Sequence, residues 1–193
     1  MRLGIFGGTF NPIHLGHLLL AEGARETLRL DRVLFIPTHV PPHKRAADLL
    51  PSKERLRLVQ LAIRGHPAFA ASDLEVRRPG PSYTVDTVRL LRRRFPNAQL
   101  FLLMGADMLR VRWRGWSKLR RACTLAVARR PGGAPPRREA GIRWVPMPQV
   151  AIASSDIRAR LRRGRSIHYL VPAAVERAIR RRRFYRPARR SKI

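Results

Sequence analysis

Cysteine, lysine and acidic side chains are all scarce in this chain. Cys123 is the only cysteine among 193 residues, which excludes an internal disulfide and any zinc cluster built on cysteines. It lies in the apolar run Cys123-Thr124-Leu125-Ala126-Val127 and reads as core. No apolar run approaches the roughly 20 residues of a membrane span, and the chain enters its first apolar run without a secretory leader, so a cytoplasmic protein is expected. Asp and Glu number 12 against 41 Lys and Arg, a formal net charge of +29. Lys44, Lys53, Lys118 and Lys192 are the only lysines, and arginine makes up the remainder. Such a balance favours polyanionic partners. The arginines are scattered along the chain, however, and read equally well as a solvated face. No RNA-recognition motif or recognition-helix pattern accompanies them, so no specific nucleic acid is expected; non-specific RNA binding is what the charge alone implies.

Apolar runs alternate with helical patterns over most of the length. Strands are expected at 3–6, 32–36, 69–71, 100–104, 124–128 and 142–145, and helices at 17–30, 52–65, 83–95, 106–112, 116–121, 155–163 and 172–181. Strands separated by helices imply right-handed crossovers and a mostly parallel sheet in an α/β fold. Length and a hydrophobic content of 45% suit one domain over residues 1–185, with a small helical C-terminal part and a basic tail at 186–193. Oligomeric state is left open.

Several strand ends run into glycine, proline or polar residues, and ligands of open α/β sheets bind at the carboxyl ends of the strands. Gly7-Gly8-Thr9 follows the first apolar run, and His14 and His17 lie three apart around Gly16. Paired glycines read as a tight turn that lets something approach the backbone. Residues three apart on a helix share a face, so both imidazoles are expected to face one way beside a helix N-terminus, itself an anion site. That arrangement suits phosphoryl-type transfer, which needs positioning and electrostatic stabilisation more than covalent help. A zinc site would want a third ligand, and none is evident, so no metal held by the protein is expected.

The segment Gly7 to His17 resembles the signature of the nucleotidyltransferase superfamily whose hallmark is (His/Thr)-x-Gly-His after a first strand. The resemblance implies a Rossmann-like, three-layer, doubly wound fold and transfer of a nucleotidyl group from a nucleoside triphosphate to a phosphate acceptor, with no covalent enzyme intermediate. It implies that His14 and His17 stabilise charge on the α-phosphate, with Gly7, Gly8, Thr9, Phe10 and Gly16 around the nucleotide. Asn11 stands where family members often carry Asp. A second element, Ile152-Ala153-Ser154-Ser155-Asp156-Ile157-Arg158, is similar to the superfamily's Ile-Ser-Ser-Thr-x-Ile-Arg, implying triphosphate contacts from Ser154, Ser155 and Arg158. Read from its residues alone, it is a capped helix with an arginine one turn in.

Three middle segments narrow the resemblance. Thr38-His39-Val40-Pro41-Pro42-His43-Lys44 is a stiff loop ending in a mobile point charge. Ser82-Tyr83-Thr84-Val85-Asp86-Thr87 starts a helix, with Ser82 or Thr84 as its cap, and Gly105-Ala106-Asp107 ends a strand with a carboxylate suited to ribose hydroxyls. With a following tryptophan, and with Tyr169-Leu170-Val171-Pro172 further on, they look like the nicotinate mononucleotide adenylyltransferases. That family joins the adenylyl group of ATP to nicotinate mononucleotide, with Mg2+ on the triphosphate. The likeness implies that Lys44 serves the phosphates and that backbone amides near Tyr83 and Thr84, with a stacking Trp113 or Trp116, hold the nicotinate ring; spacing from Arg130-Pro131-Gly132 favours Trp113. Phosphopantetheine and nicotinamide mononucleotide adenylyltransferases are the nearest alternatives, and a basic nucleic-acid-binding protein is the alternative from another class.

Overall fold

The computed structural model describes residues 1–41, 49–128, 141–148 and 150–185. Its centre is a sheet of six parallel strands, β1 (Arg2–Gly8), β2 (Arg32–Pro37), β3 (Phe69–Ala71), β4 (Gln99–Gly105), β5 (Thr124–Ala128) and β6 (Ile142–Val145), in the order β3-β2-β1-β4-β5-β6. The expected "mostly parallel" sheet is parallel throughout. Among the described residues, six α-helices connect and flank it: α1 (Leu15–Thr27), α2 (Ser52–Ala62), α3 (Thr84–Arg94), α4 (Trp116–Ala122), α5 (Ser154–Arg162) and α6 (Ala173–Arg181).

Alternation along the strands divides the core in two. Phe6, Val33, Phe35, Phe101, Leu103 and Ala126 face one side with residues of α1, α2, α5 and α6. Leu3, Ile5, Ile36, Leu100, Leu102 and Val127 face the other with Val88, Leu91 and Leu119 of α3 and α4. Strands buried on both faces read as near-continuous apolar runs, which is why the central strands β1, β4 and β5 stand out in the sequence. Chain order reverses between β1 and β4, and the crevice above their carboxyl ends is where such sheets bind ligands.

Four local expectations are corrected. Gly7 and Gly8 are the last residues of β1 and not a turn beyond it. Helix α1 begins at Leu15 instead of 17, so His14 is its N-cap, with extended backbone (φ −147°), and not a residue within the helix. The segment expected to be helical over 106–112 is a 3-10 turn, Ala106–Arg110; too few apolar positions are available there to bury a full helical face. Tyr83 and Ala153, rather than Ser82, Thr84 or a serine of the Ser154-Ser155 pair, stand at the N-caps of α3 and α5.

The C-terminal helix is tied to the start of α1. Glu176 of α6 is buried and accepts hydrogen bonds from His168 Nδ1 at 2.8 Å and from Arg180 Nε at 2.9 Å. These contacts fix the turn whose Leu170 carbonyl accepts the Leu15 N–H at 3.0 Å. The His168 contact foremost, with Arg180 added, holds the Glu176 carboxyl below its ordinary value of 4.5. A carboxyl lowered in the folded state contributes stability that is complete above the ordinary value and declines as pH falls through the folded one. The denaturant midpoint is therefore expected to fall between pH 6 and pH 3.5, and Glu176→Gln to lower it at pH 6 and make it less pH-dependent.

Candidate active site

Above the carboxyl end of β1 the chain makes a loop whose pieces are each held by a different element. Phe10 sits in the left-handed region (φ 46°) yet is only 2% exposed. Its burial against Phe6 and Phe35, with centroids 5.4 and 6.0 Å away, offsets that backbone cost. His17 packs edge-on against Phe10 at 5.0 Å, and the His14 ring stacks on it at 3.7 Å with 29° between planes. The two imidazoles thus meet as expected, but through the N-cap geometry instead of a shared helical face. The backbone N–H of His14 donates to His17 Nδ1 at 3.2 Å. An accepting Nδ1 leaves the proton of neutral His17 on Nε2, which is then the ring's donor.

The glycines differ in what they leave room for. A Cβ on Gly7 would meet nothing within 4 Å, so no packing contact among the described residues explains the missing side chain. One on Gly8 would fall 2.9 Å from the Phe10 ring, and one on Gly16 3.1 Å from His14 Nδ1. Gly8 and Gly16 thus stand close against the loop's own rings, whereas among the described residues Gly7 leaves an open approach to the strand end.

Helix α5 closes the loop from the other end of the chain. Ser154 Oγ donates to the Pro12 carbonyl at 2.9 Å, and Arg158 Nη1 to the Asn11 carbonyl at 2.9 Å. Both side chains hold the loop as well as standing beside it. Ser155 is exposed next to Ser154, and the first N–H groups of α5 precede its first intrahelical bond, so they point outward as donors. At the switch point, the Asp107 carboxylate folds back over Gly105, where a Cβ would lie 2.6 Å from Asp107 Oδ1.

A second cluster lies where the segment after β2 meets the start of α3. His39 N–H donates to Ser82 Oγ at 2.9 Å and Ser82 N–H to the Val40 carbonyl at 3.0 Å, beside an isolated bridge between Val40 and Pro81. This clamp positions Tyr83 at the N-cap, ahead of the amide of Thr84. Arg114 lies over the Tyr83 ring at 4.5 Å. Trp113 and Trp116 stack at 6.1 Å, and Trp113 Nε1 donates to the Met108 carbonyl at 2.8 Å. Both indoles are half-buried against the core beneath α3 and α4. Lys44 lies outside the described residues.

Sequence reasoning missed the polar groups underneath. Arg55 is fully buried below the two loops. Asn11 is buried too, and its Oδ1 accepts from Leu50 N–H at 3.2 Å and Tyr185 Oη at 2.7 Å. Both bonds use the amide oxygen as acceptor. Glu75 lies under the α3 start and accepts from Thr87 Oγ1 at 2.6 Å, and burial pushes its carboxyl up from the ordinary value. For Arg55 a signal existed: it stands three and four positions before Leu58 and Val59, on the buried face of α2. Among the described residues, no group of three His, Cys, Asp or Glu side chains is placed to hold a metal ion, and no helix is long and apolar enough to cross a membrane.

Comparison with known proteins agrees with this geometry. The cytidylyltransferase-like family matches residues 5–160. A Thermus thermophilus protein named as a nicotinate-nucleotide adenylyltransferase is 48% identical over 190 residues, covering 96% of this chain and all of its own. One of the same name from Thermomicrobium roseum is 47% identical over 197 residues, covering 96% of this chain and 92% of its own. Among solved structures, the Plasmodium falciparum nicotinic acid mononucleotide adenylyltransferase complexed with NaAD superimposes with a TM-score of 0.80 at 17% identity, over 95% of this chain and 97% of that one. At that identity the likeness bears on the fold alone. A family match over most of the length, joined by relatives this similar from end to end, makes the chain a member of the cytidylyltransferase-like family, among its nicotinate-nucleotide adenylyltransferases.

Proposed function

We propose a division of labour among these side chains for the reaction the family membership assigns: adenylyl transfer from ATP to nicotinate mononucleotide, giving nicotinate adenine dinucleotide and pyrophosphate in NAD biosynthesis. The observation that carries it is the stacked His14–His17 pair at the start of α1, 3.7 Å apart beside the switch point of the sheet.

ATP lies along the β1 edge, with the open approach at Gly7 and with Gly8, Thr9, Phe10 and Gly16 forming the loop around it. Asp107, at the end of β4, takes the ribose hydroxyls. An oxygen of the acceptor's 5′-phosphate attacks the α-phosphorus in line. As that bond forms, the bond to the bridging α–β oxygen breaks, and its electron pair leaves with pyrophosphate. No general base is required, because a phosphate is already anionic at neutral pH. His17, through Nε2, and His14 donate to the α-phosphate and bridging oxygens as charge builds there. Ser154, Ser155 and Arg158, at the start of α5, and Lys44 hold the β- and γ-phosphates. The divalent ion is Mg2+, carried in on the triphosphate as part of the substrate.

The acceptor lies against Tyr83 and Thr84. Outward N–H groups at the start of α3 donate to the nicotinate carboxylate and leave a carboxamide NH2 without a partner, which is costly in a buried site. Trp113 stacks on the pyridine ring, while Trp116 supports it from behind. The expected result is that Trp113→Ala raises KM for nicotinate mononucleotide about tenfold, the loss of about one stacking contact, with KM for ATP unchanged. A larger rise for Trp116→Ala would reverse the two assignments.

A further inference from the structure

Arg55 is the largest fully buried side chain among the described residues, with 0% exposure. Its Nε donates to the Leu50 carbonyl at 2.9 Å, its Nη1 to Thr9 at 2.7 Å, and its Nη2 to Thr38 at 2.6 Å and His39 at 3.0 Å. Among the described residues it makes no ion pair; four backbone carbonyls hold its charge instead. Burial pushes the guanidinium down to about 10, which still leaves it charged at neutral pH.

A buried charge is an expensive way to fill space, and an apolar side chain of similar volume is often the more stable choice. Leu58 and Val59 on the same helical face show that the surroundings are apolar. What an apolar residue cannot do is bind carbonyls from separate segments at once. The fork of an arginine does so with fixed angles. Thr9 belongs to the loop around the nucleotide. Thr38 and His39 lead, through the His39–Ser82 clamp, to Tyr83 in the acceptor half.

We infer that Arg55 is a positioning residue for catalysis: one guanidinium sets the separation between the nucleotide loop after β1 and the Thr38–His39 segment after β2, which is clamped through Ser82 to the acceptor half at the start of α3. The inference rests on the proposed placement of the nucleotide at the loop after β1 and of the acceptor at Tyr83 and Thr84. In-line transfer depends on the distance between two bound substrates, and each substrate binds mainly within its own half. Loss of the fork therefore acts on kcat and spares both KM values.

The test uses Arg55→Lys, which keeps the charge but loses the fork, and Arg55→Met, which keeps the bulk alone. Each is assayed well below its own Tm, where it is fully folded by circular dichroism. The expected outcome is a fall in kcat of about tenfold for Arg55→Lys and more for Arg55→Met, with KM for ATP and for nicotinate mononucleotide within about threefold of the unmodified protein. Folded variants with a lowered Tm but full kcat would overturn the inference, since packing alone would then explain the residue. Hydrogen exchange of the unmodified protein gives a readout that needs neither variant. The amides of Thr38 and Leu50 are expected to open with one common free energy, and separate openings more than tenfold apart would also overturn it. An unmodified protein that releases no pyrophosphate from ATP and nicotinate mononucleotide would remove the underlying assignment; an active one with a fully active Arg55→Lys removes the role of Arg55 alone.

Discussion

Replacing His17 by alanine is expected to lower kcat by about 10²–10³-fold while KM for ATP stays within about threefold. The ring is placed by contacts that do not involve a ligand, among them the Phe10 edge at 5.0 Å, the stacked His14 ring at 3.7 Å, Phe6 at 6.0 Å and the N–H of His14 on Nδ1 at 3.2 Å. Placement of that kind is complete before substrate arrives, so the hydrogen bond from Nε2 is felt most where charge develops. ATP keeps its other contacts in the ground state, which is why KM is spared. Glutamine at 17 offers a donor at a different reach and is expected to recover only part of the loss. A variant that loses activity through KM alone would mean that His17 binds the nucleotide and does nothing further. Structural damage is separable by Tm, because the alanine removes a half-buried ring without unpairing a buried charge.

Gly16→Val is expected to lower kcat by about 10²-fold with little change in Tm. The position is the second residue of α1, where glycine is a poor helix former and substitution would ordinarily help or be neutral. Stability and activity part here because of one neighbour. A Cβ at 16 stands 3.1 Å from His14 Nδ1 and 3.2 Å from His14 Cε1, and the His14 ring is only 6% exposed. The ring must move, and its stack on His17 moves with it. Alanine needs a shift of a few tenths of an ångström, so Gly16→Ala is expected to cost about tenfold. The β-branched valine pushes further. Equal kcat for the glycine and valine forms, measured by pyrophosphate release, would show that His14 need not hold its place.

The sheet and the pairing of His14 with His17 were legible in the sequence because each carries a local signal. Leu100 to Met104 is apolar without a break since both faces of β4 are covered. The His14-Leu15-Gly16-His17 spacing places two rings within reach of one another under either geometry, N-cap or helical face. The start of α1 was placed two residues late because Gly16 argues against a helix, whereas here it makes room for His14. Contacts between distant segments had no such signal. Tyr185 and Asn11 are 174 positions apart, and neither residue type at either place calls for the other. The resemblance implies triphosphate contacts from Ser154 and Arg158; what the structure shows is that their side chains donate to the carbonyls of Pro12 and Asn11. Arg55 was passed over among so many arginines. With +29 to distribute, one charge on the apolar side of α2 did not stand out by composition, only by spacing.

The central claim is that an amide-lined pocket at the start of α3 selects a carboxylate-bearing acceptor for the adenylyl group held at His14 and His17. Pyrophosphate release from ATP, measured in parallel with nicotinate mononucleotide, nicotinamide mononucleotide and phosphopantetheine, tests it most directly. The account predicts kcat/KM for nicotinate mononucleotide about 10²-fold or more above that for the carboxamide, and no release with phosphopantetheine. Equal rates with the two mononucleotides, or release with phosphopantetheine alone, would contradict it.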